Sequence, residues 1–461
     1  MITIKDKKIL LLGLGLHGGG VATARWLHLK GAKLIVSDLK DKDTLSLSLE
    51  NLSKQKDISY VLGKHRERDV QWADIIIYNP GVPKESKYLK LAKKLKKPIY
   101  NEASLFFDRC KAPIIAVTGT RGKSTTASLI ASMCEKKNPR TILAGNIKTS
   151  FMLDVLDRAK EDDLVVLELS SWQLEGLNAV KGAPHIAVVT NLHPDHLNRY
   201  KNLTNYYCSK KEIFKHQKED HYIVLNDEDK VVRDWQKEVC SRTFVFSKTT
   251  HKGNGVYIKD KKIFYRNDSK ETKILKVSDI ELKGEHNLEN SLAAVTTAKI
   301  IGVKDKDIKK VLKTGIVLEG RQEEVAKIKR IIYINDTTST TPEAGVAAVE
   351  RFGSKNKNII LIAGGADKNL EYTEWAKKVK KYCKKVYLLN GEASSKMKKS
   401  LFGSRGLSAG HNDLGVLVQN ISEKASKGDI VLFSPAAASF NIWNHEFERG
   451  DDFVKAIKNL K

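Results

Sequence analysis

The chain of 461 residues has few cysteines and no long apolar run, and both scarcities narrow its class. Its five cysteines are odd in number and show no CxxC spacing, which argues against a disulfide framework or a structural zinc site and fits a reducing compartment. The longest apolar stretch, 8–15, is far shorter than the ~20 residues of a membrane span, and it lacks the cleavage site of a signal peptide. We therefore expect a soluble, cytoplasmic protein that does not bind a membrane.

Acidic residues are also in the minority, because 81 Lys and Arg stand against 55 Asp and Glu, a formal net charge of +26. Such a surplus can serve a nucleic-acid partner or anionic small substrates. Lysine is spread along the whole chain among Glu and Asp, with short clusters such as 93–97, which is typical of a solvated surface. We expect no nucleic-acid partner. Apolar residues make up 41% of the chain, enough for packed cores.

Short β-branched runs alternate with helical stretches along most of the chain. At roughly 100–200 residues per domain, the length predicts about three domains. The runs that indicate buried parallel strands are 8–12, 33–37, 74–78, 114–118, 163–167, 186–190, 222–225, 331–334, 358–363, 385–389 and 430–434, with a hairpin-like stretch at 252–276. This alternation predicts an α/β fold, with ligands beyond the carboxyl ends of the strands.

The most informative segment, 114–125, is typical of a strand, a glycine loop and a helix. A nucleoside triphosphate needs backbone N–H groups around its phosphates, a lysine on the β- and γ-phosphates and a hydroxyl on Mg²⁺. The residues that can meet these needs are Gly119, Thr120, Arg121, Gly122, Lys123, Ser124 and Thr125. A strict P-loop has glycine where this chain has Val117. We expect ATP binding here, with Lys123 facing solvent.

Two further motifs follow predicted strands and remain open on their own. The glycines of 13–18 precede Asp38 by about 20 residues, the spacing of a dinucleotide fingerprint, although such glycines also serve packing alone. Glu168 ends a hydrophobic run, where its carboxylate could share a Mg²⁺ with Ser124. The alternative is a helix start that Ser170 caps.

Polar residues in the middle of the chain each have a structural alternative. His193, Asp195 and His196 end one predicted strand, either as a site or as a turn. Lys210 lies on the following helix, where a lysine is normally on the surface. Asn287 and Asn290, at i and i+3, share a helix face that could bracket a purine edge or could simply be solvated.

Three predicted strands in the last third also end in polar segments. The first segment includes Asp336 and Thr340, the second Lys368 and the third Ser439. Each segment alone is typical of a turn or a helix cap. Three such ends in one small sheet would line one edge, which favours a site.

The ordered set of motifs resembles the Mur ligases of peptidoglycan synthesis, over essentially the whole chain. The motifs are TGTRGKST, LELSSWQLE, NLHPDHLNRY, GEHNLEN, EGRQE, NDTTSTTP, GGADK and SPAAASF. The phosphate loop and HNxxN are shared with folylpolyglutamate synthases. The GLGLHG start and the short first domain favour the glutamate-adding members.

The resemblance implies a Rossmann-like domain at 1–101 for a UDP-linked substrate, a central P-loop ATPase domain with a mostly parallel sheet at 102–317, and a Rossmann-like domain at 318–461 for the amino acid. It implies catalytic roles for Lys123, Glu168, His196 and Lys210. Ser124 and Glu168 would hold one Mg²⁺, and His196 and a carbamylated Lys210 a second. The other implied contacts are Asn287 and Asn290 with adenine, Arg321 and Asp336 with ribose and phosphates, Leu16, His17, Asp38, Gly81 and Asn146 with the uridine nucleotide, and Thr340, Lys368 and Ser439 with the amino acid.

The reaction that the resemblance implies is ATP-dependent addition of glutamate, with the D-enantiomer favoured, to UDP-N-acetylmuramoyl-L-alanine through an acyl phosphate. Such a step would serve the cell wall, and so cell shape and division, and the family resemblance favours a monomer. The alternatives are an L-glutamate-adding variant, another Mur or folylpolyglutamate-type ligase, or a basic nucleotide- or nucleic-acid-binding protein without ligase activity.

Overall fold

The computed structural model describes residues 2–147, 150–195, 199–268, 270–316, 318–404, 406–439, 443 and 446–460. The chain divides into two compact units, Met1–Ile316 and Val317–Lys461. The described residues form three sheets, two in the first unit and one in the second. Residue 196, for which the family resemblance implies a role as a metal ligand, lies outside the described residues.

The first sheet is parallel, with the strand order β3-β2-β1-β4-β5 in the described part of the chain. Its strands are β1 (Lys8–Leu12), β2 (Lys33–Ser37), β3 (Ser59–Val61), β4 (Ile75–Tyr78) and β5 (Ile99–Tyr100). The helices of this region are α1 (Gly19–Leu29), α2 (Ser46–Glu50), α3 (Glu67–Trp72), α4 (Lys87–Lys94) and α5 (Glu102–Arg109). The apolar side chains of β1 and β4 are buried, as expected of central parallel strands between two helical layers.

The second sheet has the order β14-β13-β12-β11-β10-β9-β6-β8-β7 among the described residues. Its strands are β6 (Ile114–Thr118), β7 (Thr141–Gly145), β8 (Leu164–Glu168), β9 (Ile186–Val189), β10 (Tyr222–Asn226), β11 (Arg242–Ser247), β12 (Gly255–Lys259), β13 (Lys262–Asn267) and β14 (Lys270–Lys276). Its helices are α6 (Lys123–Cys134), α7 (Met152–Leu156), α8 (Ser171–Leu174), α9 (Leu203–Lys211), α10 (Lys230–Asp234), α11 (Glu285–Ile301) and α12 (Asp305–Thr314). The pairs from β6 to β12 are parallel, and β12, β13 and β14 form an antiparallel meander.

The third sheet lies in the second unit, and its described strands follow the order β15-β16-β20-β17-β18-β19. They are β15 (Glu323–Ile328), β16 (Ile331–Asn335), β17 (Ile359–Ala363), β18 (Cys383–Leu389), β19 (Leu407–His411) and β20 (Ile430–Phe433). The helices are α13 (Pro342–Phe352), α14 (Thr373–Tyr382), α15 (Glu392–Ser400), α16 (Leu414–Lys424) and α17 (Glu446–Lys458). β15 pairs antiparallel with β16, and the other pairs are parallel.

These sheets confirm the predicted α/β class with three mostly parallel sheets. The strands predicted at 8–12, 33–37 and 114–118 have the observed bounds. The predicted hairpin at 252–276 corresponds to the β12–β14 meander, and the domain boundaries near 101 and 317 stay a prediction. In the described residues, no helix combines the length and the hydropathy that a membrane crossing requires.

Contacts join the first two sheets within the first unit. A side chain at Gly18, before α1, would overlap the ring of Phe151. The Gln173 amide donates to the buried Glu102 carboxylate at 2.6 Å. Arg25 pairs with Asp154 at 3.2 Å. The glycine loop of the first sheet therefore packs against residues of the second.

Candidate functional site

The phosphate loop lies at the carboxyl end of β6, between that strand and α6. Gly119 and Gly122 have φ values of 148° and 80°, which favour glycine. A Cβ at Gly119 would overlap the Thr190 hydroxyl, and one at Gly122 would overlap the Asn290 amide. The Asn191 side chain accepts from the Arg121 N–H at 2.9 Å. The loop is held in shape, and the N–H groups of the first turn of α6 face its ligand side.

Lys123 begins α6 and lies differently from the sequence prediction. It is half-buried rather than solvent-facing. Its ammonium donates to the carbonyls of Gly119 at 3.2 Å and Thr120 at 3.0 Å. Lys123 adopts this conformation because it is the first residue of α6, from which its side chain reaches the carbonyls of the preceding loop. The cation already sits over the loop in which phosphates are predicted to bind.

Lys210, on α9, contacts the same loop. Its side chain is 2% exposed, and its Nζ donates to the Gly119 carbonyl at 2.8 Å. Burial, followed by repulsion from Lys123, holds its pKa well below the ordinary lysine range, against the attraction of Asp195 and Glu168. A buried lysine of this kind is readily a neutral amine, the form that reacts with CO₂. Lys211, one residue on, instead pairs with Glu238 at 2.6 Å near the surface.

Glu168 is the last residue of β8, next to the phosphate loop because Val117 pairs with it across the sheet. Its carboxylate is buried; Oε1 accepts from the Asn146 amide at 3.3 Å, whereas Oε2 has no hydrogen-bond partner among the described residues. A buried carboxylate oxygen without a donor is a suitable ligand for a hard cation. Ser170 does cap the following helix, with Gln173 completing a capping box.

The Ser124 hydroxyl and the Glu168 carboxylate are oxygen ligands of the kind that Mg²⁺ binds. The described residues contain no cluster of three or more His, Cys, Asp or Glu side chains that could hold a metal ion. A divalent cation here would need the Ser124 hydroxyl, the Glu168 carboxylate, water and phosphate oxygens. That is the ligand set that Mg²⁺ accepts alongside a nucleotide.

α11 supplies the two predicted adenine residues, both of which are buried. Asn290 Oδ1 accepts from the Thr126 hydroxyl at 3.3 Å and lies against Gly122. The Asn287 amide donates to the Lys283 carbonyl at 2.9 Å, one helical turn back. Asn290 therefore forms a wall of the phosphate loop, and Asn287 lies one turn earlier on the same helix.

The predicted uridine-binding residues of the first sheet surround a preorganised loop. Asp38 is buried and accepts from the N–H groups of Leu14 at 2.8 Å and Gly15 at 2.9 Å. Its carboxylate therefore holds the glycine loop. Leu16 is half-buried there, and His17 is exposed.

Two residues near that loop, His65 and Arg199, were not predicted from the sequence. His65 shares a 2.8 Å hydrogen bond with the Ser37 hydroxyl beside Asp38, and burial lowers its pKa although Asp38 opposes this. Arg199 donates to the carbonyls of Gly81 at 3.1 Å and Val82 at 3.3 Å and pairs with Glu175 at 3.6 Å. No spacing in the sequence distinguishes this arginine or this histidine from surface residues.

In the second unit, the predicted polar strand ends lie on adjacent strands β16, β20 and β17. Asp336, after β16, is buried and accepts from the Ser434 hydroxyl at 2.7 Å and the Gln322 N–H at 3.2 Å. Burial raises the pKa of Asp336 to about 7, although these hydrogen bonds, Arg321 and Arg351 oppose it. A carboxyl group of this kind changes charge near neutral pH.

The predicted amino-acid residues differ in exposure. Thr340 is half-buried, Lys368 is exposed, and Ser439 is 1% exposed with a hydroxyl that has no hydrogen-bond partner among the described residues. Arg321, predicted near phosphates, is exposed. Thr340, Lys368 and Ser439 follow β16, β17 and β20 of the same sheet, as the sequence predicts, whereas Arg321 precedes β15.

Arg449 of α17 is a further residue that sequence reasoning missed. Its guanidinium is fully buried and donates to the carbonyls of Thr337 at 2.8 Å and Ala437 at 3.2 Å. Burial lowers its pKa to about 10. The arginine ties together the loops after β16 and β20, and an arginine in a charged helix gives no sequence signal of such a role.

The raised pKa of Asp336 makes the free energy of unfolding depend on pH. Its native pKa of about 7 exceeds the reference value of 3.8, so the folded chain holds the proton between these values. The stabilising contribution is present below about pH 4 and is lost as the pH rises through 7. Relative to Asp336→Asn, which keeps the size without the titration, wild type should lose roughly 2 kcal/mol between pH 5 and pH 8.

Urea unfolding of both proteins at pH 5, 6.5 and 8 measures this difference. Parallel dependences of the two unfolding free energies on pH would contradict a raised pKa at Asp336.

Three family models match the chain, and together they cover most of it. They are described as the Mur ligase MurD-like N-terminal domain (residues 7–101), the Mur ligase middle domain (117–298) and the Mur ligase glutamate ligase domain (320–437). Curated relatives include the UDP-N-acetylmuramoylalanine–D-glutamate ligases of Thermoanaerobacter sp., 37% identical over 99% of both chains, and Clostridioides difficile, 35% identical over 99% of this chain and 100% of that one.

Solved structures show the same fold. UDP-N-acetylmuramate–alanine ligase of Thermotoga maritima has a TM-score of 0.64 at 22% identity, over 99% of this chain and 100% of that one. A type C pseudomurein peptide ligase of Methanothermus fervidus has a TM-score of 0.55 at 19% identity, with the same coverage.

Proposed function

The chain belongs to the Mur ligase family, and we propose from that premise that it joins D-glutamate to UDP-N-acetylmuramoyl-L-alanine in peptidoglycan synthesis, at the expense of ATP. Full-length relatives at 35–37% identity carry that activity in their names. The observation that carries the proposal is the convergence of Lys123, Lys210 and Glu168 on one phosphate loop. Cationic and carboxylate groups around a glycine loop at the start of a helix suit phosphoryl transfer.

The reaction proceeds in two steps. A carboxylate oxygen of the alanyl group attacks the γ-phosphorus of ATP, so that an acyl phosphate forms and ADP leaves. The amine of glutamate then attacks the acyl carbon, the amide bond forms, phosphate departs and the amine gives up a proton. In the first step negative charge spreads over the transferring group. Gly119 to Thr125 would surround the phosphates, and Lys123 with the N–H groups at the start of α6 would stabilise that charge.

Mur ligases use ATP and Mg²⁺, and the residues beside the loop fit the metal. Ser124 and Glu168 would hold one ion, and His196 with Lys210 a second, Lys210 as its carbamate. Bound Mg²⁺ supplies neutralisation of phosphate charge. The low pKa of Lys210 favours the neutral amine from which a carbamate forms, and the carbamate restores the negative charge that a cation requires.

The other ligand contacts follow the family pattern. Leu16, His17, Asp38, Gly81 and Asn146 would surround the uridine nucleotide. Arg199 fixes the backbone at Gly81 and Val82 against the second sheet, which would hold that nucleotide near the phosphate loop. The proposed adenine residues are Asn287 and Asn290, the proposed ribose and phosphate residues are Arg321 and Asp336, and the proposed amino-acid residues are Thr340, Lys368 and Ser439.

The setting of this reaction belongs to the same proposal. ATP and a UDP-linked sugar are soluble substrates, so we place the enzyme in the cytoplasm, as a monomer that needs neither nucleic acid nor membrane. By supplying the cell wall it would serve cell shape, cell division and the cell cycle.

The decisive experiment measures phosphate release with ATP and UDP-N-acetylmuramoyl-L-alanine in the presence of D-Glu, L-Glu, D-Asp or D-Ala. The exposed Lys368 can pair with a side-chain carboxylate, so D-Ala should be rejected strongly because that pairing is lost. We expect D-Glu to be the fastest. Faster turnover with L-Glu would overturn the stereochemistry, and no turnover with either glutamate would overturn the substrate.

A further inference from the structure

A cavity of about 260 Å³ opens in the first unit, at the end of the second sheet opposite the phosphate loop. Ile114 begins β6 at this end, and His185 and His221 immediately precede β9 and β10. Gly119 follows the other end of β6, and these three strands are parallel. A ligand of this cavity is therefore not the nucleotide of the proposed reaction.

Basic side chains dominate the lining of this cavity. The described lining contains no Asp or Glu, and its lysines and histidines are Lys111, Lys181, Lys218, His185, His216 and His221. Lys111 pairs with Glu161 at 3.2 Å. Lys181 and Lys218 are exposed, and no carboxylate of the described residues lies within ion-pair distance of either. A concave surface lined by charge of one sign concentrates ligands of the opposite sign.

His185 presents a defined hydrogen-bond donor at this surface. The Ile114 N–H donates to its Nδ1 at 3.2 Å, so the neutral ring carries its proton on Nε2. His185 is exposed, and no described residue accepts from Nε2. The His221 ring lies beside it, with the ring centroids 5.2 Å apart. Because the lone pair of Nδ1 is already used and Nε2 is protonated, this ring suits an anion better than a metal ion.

Positive charge also accumulates around His216, on the same lining. Burial, followed by repulsion from Lys215, lowers the pKa of His216, and Lys181 adds to that repulsion although Glu212 opposes it. Lys181 therefore lies close enough to act on the imidazole electrostatically. An anion in the cavity would relieve this repulsion between basic groups.

We propose that this cavity binds a phosphate group, as inorganic phosphate or as a small phosphate monoester, with its charge on Lys181 and Lys218 and one oxygen accepting from Nε2–H of His185. A phosphate monoester carries a charge of about −1.5 to −2 at neutral pH and three acceptor oxygens, so it can meet two ammonium groups and an N–H donor together. The half-buried Phe107 and Val180 offer an apolar wall to the ester carbon. The volume is below the roughly 300–1,000 Å³ of sites for drug-sized molecules, which favours a small ligand.

Calorimetric titration of the full chain with inorganic phosphate and with methyl phosphate, at constant ionic strength, tests this. We expect one saturable site per chain, with binding at least tenfold weaker in the double variant Lys181→Glu, Lys218→Glu. The matched control is Lys306→Glu, Lys310→Glu, which makes the same change of charge at exposed lysines of α12 outside the cavity. The control should bind as wild type does.

His185→Asn tests the donor separately from the fold. The asparagine amide oxygen can accept from the Ile114 N–H in place of Nδ1, whereas nothing replaces the Nε2–H donor. Binding should therefore weaken several-fold at a nearly unchanged Tm. Full affinity in a folded His185→Asn protein would contradict the role of this donor.

Four further results would overturn the proposal. They are no saturable binding of either phosphate compound, equal losses in the control and the double variant, succinate binding as tightly as phosphate, and a loss of binding in Lys123→Ala rather than in the double variant, which would place the phosphate in the phosphate loop. A preference for inorganic or for methyl phosphate supports the proposal and identifies the source of the group. The titrations contain neither ATP nor the sugar substrate, so their outcome is separate from that of the proposed function.

Discussion

Lys123→Ala should lower the rate of ligation at least about 100-fold while leaving the protein folded. A 100-fold loss corresponds to about 2.7 kcal/mol of transition-state stabilisation, which is reasonable for a cation on a transferring phosphoryl group. In the structure the ammonium already lies over the loop, on the carbonyls of Gly119 and Thr120. Those two hydrogen bonds are partly exposed, so their loss should move Tm by no more than ~4 °C.

The measurement pairs phosphate release with thermal unfolding. Lys136→Ala is the matched control, because Lys136 is exposed just beyond the end of α6 and should keep full activity. Retention of more than about a tenth of wild-type activity by Lys123→Ala, equivalent to about 1.4 kcal/mol, would remove Lys123 from the phosphate role.

Lys210→Ala should also be nearly inactive, and added bicarbonate or acetate should restore part of the activity. Lys210 is buried against the phosphate loop, where burial, followed by repulsion from Lys123, lowers its pKa and favours its neutral form. If the working form is a carbamate, the variant lacks a negatively charged group, and a small carboxylate can occupy the space that the side chain leaves. We expect the activity to fall at least about 100-fold and to rise severalfold with the additive.

Lys211→Ala is the control, since Lys211 pairs with Glu238 at the surface and successive helical residues point about 100° apart. It should keep activity within about twofold, because surface ion pairs contribute little. An inactive Lys211→Ala beside an active Lys210→Ala would mean that the family register is misplaced by one residue. Absence of rescue in a folded Lys210→Ala protein would count against the carbamate.

The sequence predicts the central strands, whereas most of the strands that it does not predict lie at the edges of the sheets. β1, β6 and β20 are buried and give continuous apolar runs. β3, β5, β7, β15 and β19, which the sequence did not reveal, are the first or last strands of the described sheets. An edge strand has a neighbour on one side and needs fewer apolar residues, so its pattern is weak. β11 is the exception, an interior strand that was also missed.

The site was predictable where chemistry requires a residue type at a fixed position in a motif. Lys123 and the loop glycines are of this kind, and their neighbours Thr190 and Asn290 explain why a larger residue is excluded. The pose of Lys123 was not predictable, because it depends on carbonyls brought together only by folding. Arg199 and Arg449 act through backbone carbonyls distant in the sequence, and no local pattern marks such contacts.

The contacts between the first sheet with its helices (the first module) and the second sheet with its helices (the second module) limit how freely these modules can be exchanged between relatives. Phe151 covers Gly18, Gln173 satisfies the buried Glu102, and Arg199 holds the backbone at Gly81. A first module taken from a relative would therefore meet second-module residues that fit a different loop. Such an exchange would leave the Glu102 carboxylate or the Arg199 guanidinium without its partner. An exchange of first modules between relatives must therefore carry the contacting residues of the second module with it.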